Sequence, residues 1–147
     1  MKFPTVVWFQ ALVDQAAQRV DTFRRLGFCD ANVGVKVLGD QGFLEDAGFV
    51  LRFDGYDCKA IEVTARPEQV ADFVLEGKYS VWKEMIENIK VNAGPDLNHT
   101  LNYLTLPGDP IRIAARDQLK QDLFFRYNGT IQEFFNGAQY IETEFAA

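Results

Sequence analysis

The chain is poor in the residues that most often carry chemistry. One histidine, His99, and two cysteines, Cys29 and Cys58, stand among 147 residues. A single histidine excludes a histidine pair for zinc, and two isolated thiols make neither a CxxC pair, a four-sulfur site nor a disulfide framework. Free, buried thiols are expected, with no metal and no cofactor. Basic residues are scarce as well: 15 Lys and Arg against 21 Asp and Glu leave a net charge of −6. Nucleic-acid binding depends on clustered cations that displace counterions from phosphate, so nucleic acid is excluded as a partner. The same charge repels anionic headgroups, and stable membrane insertion is not expected. No apolar run approaches the roughly 18 residues of a spanning helix, and Val6 to Phe9 is too short for a secretory core, so a cytoplasmic location is expected. Gly39 and Gly42 belong to no GxGxxG and to no Gly-Lys-Ser or Gly-Lys-Thr, so they form no phosphate loop. Repeats, linkers and low-complexity stretches are missing too.

What is abundant is phenylalanine, with 13 copies. Each enclosed aromatic ring buries roughly 150–250 Å², so the chain has either a dense core or a lined cavity. Its length suits one domain, 1–147, around one core.

Residue spacing divides the chain into elements. Pro4-Thr5 offers a fixed entry and a capping hydroxyl, and Phe9, Leu12, Val13, Ala16, Val20 and Phe23 recur at helical spacing, which predicts one helix over 5–26 closed by Gly27. Val33, Val35 and Val37 then alternate as a half-buried strand does. Phe49, Leu51 and Phe53 alternate again, and Asp54-Gly55 turns the chain into a further alternating run over 57–64, a β-hairpin. Ala71, Phe73 and Leu75 suggest a fourth strand, with Pro67-Glu68 equally able to begin a short helix. Trp82, Met85, Ile86 and Ile89 share one face of a helix over 79–90. Asp96 can cap a short helical segment through Leu101, and Tyr103 to Leu106 reads as a brief fifth strand before Pro107-Gly108. Asp109-Pro110 is a helix start signal, and a long helix to Asn136 would present Leu119, Leu123, Phe124, Tyr127, Ile131, Phe134 and Phe135 as an apolar stripe ended by Gly137. Ile111-Arg112-Ile113 could instead be one more short strand. Residues 138–147 remain as a short tail.

Two runs in this order, Phe73-Val74-Leu75-Glu76-Gly77-Lys78-Tyr79-Ser80-Val81-Trp82 and Leu104-Thr105-Leu106-Pro107-Gly108-Asp109, precede a terminal amphipathic helix. With Leu51-Arg52-Phe53-Asp54-Gly55 as the hairpin, the chain resembles the sterol carrier protein type 2 family from about Phe9 to Asn136. The resemblance implies an α+β fold: a five-stranded sheet covered by helices, with a long C-terminal helix over an apolar cavity that takes fatty acyl chains, sterols or similar lipids without a cofactor. By position, Phe53, Trp82, Met85, Leu104, Leu106 and, from the terminal helix, Leu123, Phe124, Tyr127, Ile131, Phe134 and Phe135 are the expected ligand contacts. The glycine-rich loop before Phe49, the segment 92–101 and the tail depart from the family pattern.

The function expected is non-catalytic binding or carriage of a hydrophobic small molecule, since each methylene removed from water contributes about 0.8 kcal/mol. Two other readings stay open. His99, more naturally a solvated or capping residue, could join Tyr103 or Asp109 as the acid–base site of an isomerase or cyclase. Alternatively, the terminal helix could present its apolar face to a partner protein. Gly129 costs that helix about 1 kcal/mol against alanine, for which close helix packing or a gap left for ligand are the two explanations. Oligomeric state, a homodimer included, is open.

Overall fold

The computed structural model describes residues 1–146. Five strands form one mixed sheet in the order β3-β2-β1-β4-β5: β1 Cys29–Leu38, β2 Ala47–Gly55, β3 Asp57–Val63, β4 Phe73–Lys78 and β5 Arg112–Ala114. β1 runs antiparallel to β2 and parallel to β4, with Val33 beside both Leu51 and Phe73. Side chains alternate across the sheet. One face sends Val33, Val35, Phe49, Leu51, Phe53, Phe73 and Leu75 into the core beneath the helices. The other mixes charged residues with buried Val50 and Val74, and carries Arg52 and Glu62 paired at 2.5 Å on neighbouring strands. Asp54-Gly55 makes the β2–β3 turn as expected, Gly55 taking φ +85°, where a Cβ would be strained.

The first helical segment is two helices, not one. In α1, Val6–Ala16, the Thr5 hydroxyl accepts from Trp8 N and the buried residues are Trp8, Phe9, Leu12 and Ala16. A 3-10 turn at Ala17–Arg19 then leads to α2, Val20–Leu26, which Gly27 ends at φ +100°. The break coincides with a long-range contact absent from local spacing. Arg19 reaches the last turns of the terminal helix, pairing with Glu133 at 2.5 Å, while its guanidinium lies over the rings of Phe23 and Tyr140.

Helix α3 is Tyr79–Asn92, and its buried residues Tyr79, Trp82, Met85, Ile86 and Ile89 follow the predicted face. The expected strand at Tyr103 to Leu106 does not form. Asp96 caps a 3-10 turn, Leu97–His99, and Thr100 accepts from Tyr103 N to start α4, Leu101–Leu104, which buries Leu101 and Leu104 at helical spacing. The fifth strand is the alternative at Arg112–Ala114, with Ile113 beside Leu75. The terminal helix α5 is accordingly shorter than expected, Gln118–Asn136, capped by Asp117 rather than Asp109. Residues 109–110 lie instead in the turn that delivers Ile111 N to Leu104 O at 3.0 Å.

The tail is docked. Glu144 exchanges backbone hydrogen bonds with Met1 and Phe3, Thr143 Oγ1 accepts from Trp8 Nε1, and Ala146 N donates to the Tyr79 hydroxyl. Gly129 meets neither explanation offered for it: a Cβ there would stand 3.6 Å from Leu26 Cδ2, in ordinary contact. Gly129→Ala is therefore expected to stabilise the protein by about 0.5–1 kcal/mol, seen as a higher urea midpoint at unchanged slope.

Candidate functional site

The described cavity of greatest volume, about 470 Å³, is a groove between the α4–β5 turn, β5 and the first half of α5. Leu106, Pro107, Ile111, Ile113 and Phe125 form its apolar walls, while Thr105, Asp109, Arg112 and Gln121 supply polar groups. Each wall has a local cause. Thr105 Oγ1 donates back to Leu101 O at 2.6 Å, closing the end of α4 and throwing Leu106 outward. Ile111 is buried against Gly77 of β4, where a Cβ would come within 3.2 Å of Ile111 Cγ1 and 3.3 Å of Trp82 Nε1. That indole N–H donates to Gly77 O, so the groove floor is one side chain away from the central core. Gln121 and Phe125 are four residues apart on one face of α5.

Exposure makes the groove unusual. Leu106 is 45% and Phe125 54% exposed, although both line the cavity. Phe125 is held edge-on to buried Phe124, ring centroids 5.3 Å apart. Arg112 donates to Glu76 Oε2 at 3.4 Å and is largely exposed, a cationic group at the rim.

Of the residues expected to contact ligand, Leu106 lines this groove. Leu104 is buried beneath it, accepting the Ile111 N–H, and Leu123 is half-buried against the core. Tyr127 is buried and is not among the groove's lining residues. Trp82, Met85, Phe124, Ile131, Phe134 and Phe135 have no accessible surface, and Phe53 almost none. Their rings meet edge to face or tilted: Phe53 with Phe134 at 5.4 Å, Phe134 with Phe135 at 5.7 Å, Trp82 with Phe135 at 5.6 Å, Phe73 with Phe124 at 5.8 Å. The hollow expected between α5 and the sheet is filled by these side chains. Phe125, Gln121, Ile111 and Ile113 were not singled out as contacts. Phe125 sits off the apolar stripe, and the signal that could have found it is a large ring at a position the core does not use.

The acid–base arrangement around His99 does not form. Its Nδ1 lies 2.6 Å from Asp96 Oδ1 and its Nε2 3.1 Å from Glu84 Oε1, and among the described residues neither Tyr103 nor Asp109 is a hydrogen-bond partner. The hydrogen bond to Asp96, then that to Glu84, holds the imidazole above its ordinary pKa. Asp96 is held below the usual carboxylate range, first by His99. Cys29 and Cys58 are free and buried, and burial pushes both thiols up to about 12. Among the described residues no group of three or more His, Cys, Asp or Glu is placed to hold a metal, and no helix is long and apolar enough to cross a membrane.

No protein-family model and no curated protein matches the chain. Two solved structures share its fold. A conserved hypothetical protein of Thermus thermophilus, described as a possible sterol carrier protein, aligns with a TM-score of 0.66 at 18% identity, covering 95% of this chain and 90% of the other. A crystal structure of sterol carrier protein 2 aligns with a TM-score of 0.64 at 20% identity over 94% of this chain and 98% of that one. The architecture is therefore the sterol carrier protein 2 fold, α+β with an open five-stranded sheet and a C-terminal helix.

Proposed function

We propose that this chain binds and carries a hydrophobic small molecule, of the fatty acyl, sterol or isoprenoid kind, without transforming it. The observation that carries the reading is a 470 Å³ groove walled by exposed Leu106 and Phe125 in a chain with this fold. The volume falls within the roughly 300–1,000 Å³ of small-molecule sites. About eight methylenes leaving water there would contribute about 6 kcal/mol before the cost of immobilisation. Arg112 and Gln121 at the rim suit the polar end of such a molecule.

A longer ligand needs more room than the groove, and Trp82, next to Ile111 across Gly77, is the buried ring adjoining its floor. The first turn of α5 is solvent-exposed, with Leu119 80% exposed, so the reading has that end of α5 lifting to let a ligand tail reach Leu123, Phe124 and Trp82. The isomerase reading is the less favoured, because His99 Nδ1 and Nε2 face Asp96 and Glu84 and His99 lines none of the groove.

Native mass spectrometry of the purified protein should show a co-purifying lipid, and titration of the delipidated protein with fluorescent fatty acid and sterol should saturate. Leu106→Asp and Phe125→Asp are expected to weaken binding at least about tenfold, because a carboxylate in an apolar wall must be desolvated. Leu44→Asp, at a side chain 90% exposed elsewhere, should leave binding unchanged. Absence of binding by every probe, or equal affinity in all three variants, overturns the proposal.

A further inference from the structure

His99 is the only histidine in the chain, and both of its ring nitrogens face carboxylates. Neutral imidazole has one N–H, so it can donate to Asp96 or to Glu84 but not to both; only imidazolium satisfies the two contacts together. The partners belong to different elements. Glu84 is on α3, and Asp96 caps the turn that leads into α4 and is itself braced by Asn88 of α3. Among the described residues these two are the charged groups that act on His99. α5 meets the same segment with a neutral side chain, Gln132 Oε1 accepting from Leu101 N at 2.7 Å.

The turn is mechanically close to the groove. Thr100, next after His99, caps α4; Thr100 O accepts from Leu104 N, Leu104 O accepts from Ile111 N, and Thr105 and Leu106 then form the groove wall. One turn of helix joins the imidazole to the mouth.

We propose that the His99 bridge is a pH-dependent latch on the groove: as imidazolium it ties α4 to α3 and retains the bound molecule, and on losing its proton it frees one carboxylate, loosens α4 and speeds release. The proposal rests on the groove being the ligand site. The direction follows from linkage. A histidine held above its ordinary pKa adds stability that is fully present below about pH 6.5 and is lost as pH rises through the folded value. The lowered carboxyl of Asp96 describes the same contact from the other partner.

The test uses preloaded protein and an intrinsically fluorescent sterol, which has no ionisable group of its own near neutrality. Its release rate into excess acceptor vesicles should rise about two- to fivefold between about pH 6 and pH 8, the scale of one partly exposed charge pair. His99→Gln should release fast at both pH values and His99→Lys slowly at both. In ligand-free protein, exchange of the Leu104 and Ile111 amides, corrected for its intrinsic pH dependence, should show the same ordering. A bound sterol with flat release, or an unaltered pH profile in His99→Gln, overturns the latch alone. Failure of any sterol or fatty acid to bind at any pH overturns the carrier reading, and the latch's role in release falls with it.

Discussion

Phe135→Ala is expected to lower the unfolding free energy by about 3–5 kcal/mol, a large part of the roughly 5–15 kcal/mol that holds a domain together. Phe135 has no accessible surface and touches three other rings from three elements: Phe9 of α1 at 6.2 Å, Trp82 of α3 at 5.6 Å and Phe134 of α5 at 5.7 Å. Truncation removes transfer free energy and leaves a void that three packed helices cannot all close. The measurement is a guanidinium midpoint at unchanged slope, with Trp8 and Trp82 fluorescence as the probe. The same variant bears on the ligand site. If bound lipid stays in the groove, affinity is unchanged in Phe135→Ala; if the tail reaches behind α5, the new space should tighten binding of bulkier ligands. A loss of stability below about 1 kcal/mol would mean that the aromatic cluster is far looser than its geometry states.

Gly48→Ala is expected to be as damaging for the opposite reason. A Cβ at Gly48 would stand 2.2 Å from the backbone oxygen of Thr64 and 2.9 Å from Pro67 Cδ. Neither neighbour is a flexible side-chain end: Thr64 N donates to Gly48 O at 3.0 Å, and buried Pro67 begins a 3-10 turn. Relief requires parting the start of β2 from the segment that follows β3. Overpacking usually costs about 1–3 kcal/mol, and a backbone clash of this depth belongs at or above that range. A thermal melt of the variant should show a large fall or no cooperative transition, whereas a shift within about 2 °C would show that the segment yields freely.

The elements that could be read from the sequence were those whose signal is local. Asp54-Gly55 between alternating runs gave the hairpin, and Trp82, Met85, Ile86 and Ile89 gave α3. The errors arose where distant partners decide. Tyr103 to Leu106 carries the residues of a strand, but the Thr100 cap and the burial of Leu101 and Leu104 make its first part helical. β5 is three residues long, too short for any periodicity, and exists because β4 offers it an edge. Asp109-Pro110 reads as a helix start, but the chain begins the helix at Asp117 because Ile111 and Ile113 are held by β4 and α4. The site was legible only in outline. A stripe such as Phe124, Ile131, Phe134 and Phe135 reads identically whether it packs on a sheet or surrounds a guest, and the groove is distinguished by Phe125, which packing left outside.

The parallel seam down the middle of the sheet sets the order in which the molecule assembles. β1 can zip onto β2, and β2 onto β3, through short local reversals, but Val33 meets Phe73 only after about forty intervening residues have looped back. That closure is entropically slow compared with the neighbouring hairpin. Until it happens, β1 presents an unpaired hydrophobic edge, the surface through which newly made or refolding chains would adhere to one another.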